Sequence, residues 1–195
     1  MSRLATVLLA VALALPVAGC GEQASPPEVR TAPSGEEYAA ADAAFAADLL
    51  VHHAETLRLV DTTLGRPLPD DLAAVVEEVR ATRTAQVEQL TDLLTAWDEP
   101  VPATSRDHVN AGDHGDDHGG PADEHQADHD DPWADVAALE GDAFAAAFTD
   151  ALAERMAGAE ELAEEQLDGG LHEDALAVAE ALLAAQDDEA ARLDG

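Results

Sequence analysis

Cysteine, methionine and positive charge are all scarce in this chain, and each scarcity removes a class of function. Cys20 is the single cysteine among 195 residues, so an intrachain disulfide and a thiolate-rich metal centre are both excluded. The two methionines, Met1 and Met156, leave nothing from which to build a methionine-rich cuprous site. Nine Lys plus Arg residues face 42 Asp plus Glu, for a formal net charge of −33. Such a field repels nucleic acid and anionic lipid, and attracts metal cations and basic partners broadly. A solvated face, or a compositional adaptation to salt or to a high-G+C genome, accounts for the same charge without any partner. Beyond the N-terminal leader no apolar run approaches the roughly 20 residues of a spanning helix. A Gly-rich phosphate loop, a nucleophile elbow, His-Glu-x-x-His and Glu-x-x-His are also missing, which leaves no complete catalytic constellation and predicts a protein that is not an enzyme.

What the chain does contain begins with its first residues. Met1, Ser2 and Arg3 lead into the apolar run Leu4 to Val17, then Ala18, Gly19 and Cys20, the order of a secretory signal. The Val-Ala-Gly-Cys run at 17–20 resembles the lipobox of bacterial lipoproteins, in which the cysteine is lipidated and becomes the first mature residue. That resemblance implies a signal peptide over 1–19, a lipid on Cys20, and an extracytoplasmic protein anchored to a bacterial cell membrane. Residues 20–36, with Pro26, Pro27, Pro33, Ser34 and Gly35, read as a flexible tether.

Four long helices follow by period. Ser34 and Glu37 have capping-box spacing, placing the start of the first helix near Gly35 and its end near Leu64. Gly65, Pro67 and Pro69 break it, and Asp70 or Asp71 opens a second helix running to about Trp97. Leu72, Val75, Val76, Val79, Val87, Leu90, Leu93, Leu94 and Trp97 form its apolar stripe, with Trp97 closing the core. Asp131 and Pro132 provide an N-cap and a first-turn proline. A short helical lead reaches Leu139, and a third long helix runs from Gly141 and Asp142 to Leu167 or Asp168. Gly169 and Gly170 end it. Glu173 and Asp174 make the acidic first turn of the fourth. No strand-length alternation competes with these helices.

The helices repeat. Phe45 matches Phe148, Leu49 matches Leu152, Leu59 matches Leu162, Val79 matches Leu182, Gln86 matches Glu189 and Leu90 matches Leu193, all at one offset of 103 residues. A register held through two helices and their loop predicts duplicated helical hairpins at 37–98 and 132–195, packing as one four-helix bundle.

Between them, residues 99–131 form an acidic, histidine-rich linker. His108, His114, His118, His125 and His129 stand there among aspartates, glutamates and glycines, a composition that cannot enter a core. Imidazole and carboxylate suit copper, zinc or nickel, yet spacings of 6, 4, 7 and 4 specify no tight ligand motif. A solvated linker and a low-affinity metal trap both fit.

The residues of the two hairpins resemble the bacterial family called domain of unknown function 305, whose hallmark is approximately F-x3-M-x2-H-H-x2-A-x2-M-A followed by Q-x2-E-x3-M. The first hairpin supplies Phe45, Leu49, His52, His53, Thr56, Leu59 and Val60, then Arg83, Gln86 and Leu90; the second supplies Phe148, Leu152, Arg155, Met156, Ala159, Leu162 and Ala163, then Gln186, Glu189 and Leu193. The first keeps the histidine pair and loses the glutamine–glutamate pair; the second does the reverse. The resemblance implies a ferritin-like, all-α envelope protein and, for some members, copper binding or tolerance. Adjacent helical residues diverge by roughly 100°, so His52 and His53 need a third ligand to share an ion. That ligand would come from across the bundle, while Glu55, three residues after His52, is close enough along the helix to join His52 at a carboxylate–histidine site. Alternatively His52 packs beside Phe45 and Leu49 while His53 sits at the edge of the stripe. Arg83 has Glu78, Asp61 or a carboxylate of the second hairpin as ion-pair partners.

Two functions are left open. One is an envelope metal-binding module using 107–131 and His52 for copper or zinc. The other is a structural or protein-interaction module whose acidic surface meets a cationic envelope protein.

Overall fold

The computed structural model describes residues 27–104 and 131–193. Its fold is all-α with five helices, preceded by a two-stranded antiparallel ribbon. Cys20, His108, His114, His118, His125 and His129 lie outside the described residues.

The ribbon is the main departure from the sequence reading. Strand β1 (Val29–Thr31) pairs with β2 (Glu37–Ala39), with Val29 opposite Ala39 and Thr31 opposite Glu37. Residues 27–36 are therefore not a tether, and Ser34 does not cap a helix. Its hydroxyl instead accepts the Glu36 N–H at 3.3 Å, and Gly35 takes φ +95°, the left-handed conformation a tight turn reserves for glycine. Tyr38 leaves the ribbon to stack on Trp97, with ring centroids 4.8 Å apart, and both rings are buried. The ribbon thus closes one end of the helical core, with Trp97 at that end as its stripe position predicts.

Helix α1 (Ala40–Asp61) begins where the ribbon ends, five residues later than the capping-box reading placed it. Its true N-terminal device is Asp42, whose carboxylate accepts the Ala39 N–H at 2.6 Å. Thr62 and Thr63 hydroxyls donate to Leu59 and Val60 carbonyls at 2.7 Å, satisfying acceptors the helix end leaves open. Gly65, at φ +74°, turns the chain into α2 (Asp70–Ala96). Arg66 in that connection spans to the other half of the molecule: its guanidinium donates to Ala137 and Leu139 carbonyls at 2.6 and 2.7 Å and covers the Phe144 ring at 4.3 Å. The short helix α3 (Ala134–Ala137) starts after an Asp131 side chain that accepts the Trp133 N–H at 3.1 Å. Helices α4 (Gly141–Gly169) and α5 (Glu173–Leu193) follow at the positions the periodicity gives.

The four long helices pack in a circuit, α1 on α2, α1 on α4, α4 on α5 and α5 back on α2. Two apolar clusters fill the space between them. One gathers Phe45, Leu49, Leu50, Leu90, Leu94 and Leu182; the other gathers Leu59, Val60, Val75, Val79, Phe148 and Leu152. Each fully enclosed leucine contributes about 1.5–3 kcal/mol of burial free energy. No helix of the described residues is long and apolar enough to cross a membrane.

Candidate functional site

On α1, α2 and α5 the stretch between the two apolar clusters carries polar residues, and Arg155 of α4 joins them in one layer. Helix α1 brings His52, His53 and Thr56; α2 brings Arg83 and Gln86; α4 brings Arg155; α5 brings Gln186 and Glu189. Of these, His53, Thr56, Arg83, Gln86, Gln186 and Glu189 are buried. The periodicity that forms the helices also forces this meeting, because each polar position continues the inward stripe of its own helix.

An ion pair holds the centre. Arg83 Nη2 donates to Glu189 Oε2 at 2.7 Å, with side-chain exposures of 2% and 0%. Of the three partners open to Arg83, the carboxylate of the second hairpin is the one realised. Asp61 instead receives Arg80 at 2.6 Å, and Glu78 receives Arg192. Burial pulls the Arg83 pKa down and pushes that of Glu189 up, against the attraction of the pair. Arg155 spans a second contact: Nη2 donates to the His52 carbonyl at 2.7 Å and Nε to Thr56 Oγ1 at 3.3 Å.

The histidine pair sits inside this layer, and the burial of its two members reverses the sequence expectation. His53, expected at the stripe's edge, is fully enclosed, whereas His52 is only partly buried. Position 53 follows Leu49 by four and Leu50 by three residues, and helices pack on both flanks of α1, so its buried face is wider than one stripe. His52 reaches α4 at Gly158, where a Cβ would lie 3.0 Å from its Nε2; glycine there makes room for the imidazole. The rings are 6.2 Å apart at 72°, diverging as adjacent helical residues must. Desolvation, then Arg155 and Arg83, lower the His52 pKa to about 4. Desolvation first, then Arg83 and His52, hold His53 well below the usual imidazole value. Gln86 opposes His53, yet both His53 ring nitrogens, His52 Nδ1, Gln86 Oε1, Gln186 Nε2 and Glu189 Oε1 find no protein partner in hydrogen-bonding geometry.

Neutral imidazoles are good ligands for copper and zinc, but the rest of the layer does not fit either ion. Two guanidiniums lie beside the histidines, and the layer's carboxylate is committed to one of them. Glu55, the candidate partner of His52, pairs with Arg58 at 3.3 Å, while its backbone carbonyl accepts Trp133 Nε1 at 3.2 Å. Among the described residues no three His, Cys, Asp or Glu side chains are grouped to hold a metal.

Asp42 is a polar node that sequence reasoning missed. Fully buried, it accepts Gln166 Nε2 at 2.6 Å, the Leu171 N–H at 3.0 Å and the His172 N–H at 3.1 Å, besides the Ala39 N–H. It binds the start of α1 to the α4–α5 connection. His172 in turn meets Trp97 edge-on at 5.0 Å and accepts the Asp174 N–H through Nδ1 at 3.3 Å. Nothing in the spacing of Asp42 distinguishes it from the exposed acids around it.

The sequence profile of a family described as a domain of unknown function, DUF305, matches residues 42–195. The chain belongs to the DUF305 family. A crystal structure of a DUF305 fragment from Deinococcus radiodurans is similar in fold, with a TM-score of 0.62 and 17% identity, covering 85% of this chain and 97% of that one. No curated protein matches the chain. Within this DUF305 chain Arg83, Gln86 and Glu189 are buried in the central layer, with Gln186 beside them.

Proposed function

We propose that this protein is a non-catalytic structural or protein-interaction module of the bacterial envelope, anchored through a lipid on Cys20. In this reading it is a ferritin-like four-helix bundle made of two duplicated hairpins, with an acidic surface that meets a cationic envelope protein. The observation that carries it is the placement of the histidine pair, His53 enclosed and His52 partly buried, beside Arg83 and Arg155. A cation arriving there meets two guanidiniums and a carboxylate already paired, so the family's most chemically active side chains serve packing. The duplication draws support from the 103-residue register and from the contact of Arg155 with the His52 carbonyl, two positions related by that same offset. The lipid anchor draws on the run of residues 17–20 alone.

Copper and zinc titrations test the choice against metal capture. The comparison is wild type, an H52Q/H53M double variant, a deletion of 107–131, and an equally acidic protein without histidine. The structural reading expects wild type and both variants to bind no more than that control. Stoichiometric binding abolished by H52Q/H53M would return the ordered histidines to a metal role, and binding abolished by the deletion would assign it to the linker. Separately, Cys20→Ala is expected to move the protein from the membrane fraction to the soluble one.

A further inference from the structure

Contacts between the hairpins recur in pairs at the 103-residue offset. Arg66 covers the Phe144 ring at 4.3 Å, and at the counterpart positions a Cβ on Gly169 would lie 4.0 Å from the Ala41 Cβ. His52 and Arg155, counterparts of one another, meet at 2.7 Å. Arg83 binds Glu189 at 2.7 Å, and the counterparts of that pair are Gln186 and Gln86, both buried in the same layer. Helix α1 packs on α4 and α2 on α5, so interchanging the hairpins maps each of these interfaces onto itself. The two inner faces are related as in a two-fold dimer, where one patch serves both partners.

Shape therefore does little to tell a first hairpin from a second, and charge does the rest. First against first would bury Arg83 twice, each time opposite Gln86 of the other copy and with no carboxylate. Second against second would bury Glu189 twice opposite Gln186, with Arg155 facing Arg155. A buried charge deprived of its partner is strongly destabilising, so unlike pairing is selected by what like pairing would strand. None of these contacts requires both hairpins to belong to one chain. The residues between 104 and 131 reach roughly 90 Å when extended, against about 33 Å for the 22 residues of α1. We propose that the first hairpin of one copy of this chain pairs with the second hairpin of another through these same contacts, giving a reciprocal hairpin-exchanged dimer alongside the closed monomer, with Arg83, Glu189 and Arg155 excluding like pairs. The proposal rests on the duplicated-hairpin reading and adds to it a partner, a second copy of the chain.

Positions 41 and 169 report the exchange, because a Cβ separation of 4.0 Å lies within disulfide range. All chains carry Cys20→Ala, since Cys20 is the single native cysteine. Together in one full-length chain, Ala41→Cys and Gly169→Cys are expected to close an intrachain disulfide on oxidation with diamide. Placed in separate chains that are unfolded in urea, mixed, refolded and oxidised, they are expected to give a cross-linked mixed dimer whose yield rises with protein concentration. Ala41→Cys mixed with Arg66→Cys should give none, because only first-to-first pairing brings those positions together. Adding Arg83→Glu to the Ala41→Cys chain and Glu189→Arg to the Gly169→Cys chain sets like charges within each chain and opposite charges between them. The mixed dimer should then increase by about tenfold, and Arg83→Glu in both chains should abolish that gain. An intrachain disulfide with no mixed dimer from the charge-matched chains would overturn the exchange. A 41–66 cross-link as abundant as the mixed dimer, or equal yields from matched and mismatched charges, would overturn the selection of unlike hairpins. Failure of the intrachain disulfide would instead remove the duplicated-hairpin reading, and the proposal with it.

Discussion

The two hairpins share an apolar frame and differ in nearly every polar position that faces inward. The first contributes two imidazoles and a guanidinium at 52, 53 and 83; the second places Arg155, Met156 and Gln186 at the matching positions and Glu189 opposite Gln86. Packed together they are complementary, since Arg83 of one is neutralised by Glu189 of the other, and Arg155 of the second caps the His52 carbonyl of the first. The polar layer is shared between the hairpins, each supplying a partner to the other.

Breaking that complementarity gives the largest expected effect. Arg83→Met or Glu189→Leu alone strands a buried charge and should cost about 3–5 kcal/mol of unfolding free energy. The R83M/E189L double variant should recover most of the loss, because replacing both partners of a buried pair with apolar groups is often neutral or better. Denaturant unfolding of the cycle measures the coupling; additive losses would mean that the two side chains do not depend on one another. An exposed ion pair, by contrast, is usually worth only about 0–1 kcal/mol.

Leu49→Ala and Leu152→Ala occupy matching positions with 0% exposure each, and each should cost about 2–5 kcal/mol. Similar losses, measured in the same denaturant, sharpen the equivalence of the hairpins; one negligible loss would break it.

A smaller effect follows from histidine titration. His52 and His53 have folded pKa values below the unfolded value of about 6.5, so the unfolded chain binds more protons in that window. Their contribution is complete above about pH 6.5 and is lost as pH falls toward the folded values. Glu189 acts with opposite sign: its raised folded pKa makes stability fall as pH rises above about 4.5. Unfolding midpoints from pH 7 to about 4.5 should therefore decline in wild type and flatten in H52Q/H53M, where position 53 takes the second hairpin's methionine. An unchanged slope would place the imidazoles in solvent.

The smallest effect concerns how the hairpins' helices end. Asp98, after α2, sits at φ +59°, a left-handed conformation that glycine adopts without strain. Asp98→Gly is expected to raise stability by roughly 0.5–1 kcal/mol in thermal unfolding.

Much of the helical frame was legible because it depends on local signals. Pro69 before α2, Gly169 at the end of α4 and the leucine periods fix their elements within a residue or two. The ribbon was not, because strands of three residues are too short to alternate visibly, and Ser34 to Glu37 offers the same atoms to a turn as to a helix cap. The layer was half legible. The reciprocal loss of polar motif positions could be read from the offset, but the choice of Glu189 over Asp61 and Glu78 depends on where α2 and α5 cross. Asp42 left no trace because three of its four donors lie 124 to 130 residues away.

The central claim is that the histidine pair belongs to a structural joint between unlike hairpins. A long-range ¹H–¹⁵N spectrum of the imidazoles tests it most directly, recorded at about pH 5.5, where an ordinary imidazole is mostly protonated, before and after equimolar zinc. His52 and His53 are expected to stay neutral and unmoved by zinc. Protonated His53, or joint displacement of the His52 and His53 signals at one equivalent of zinc, would contradict it.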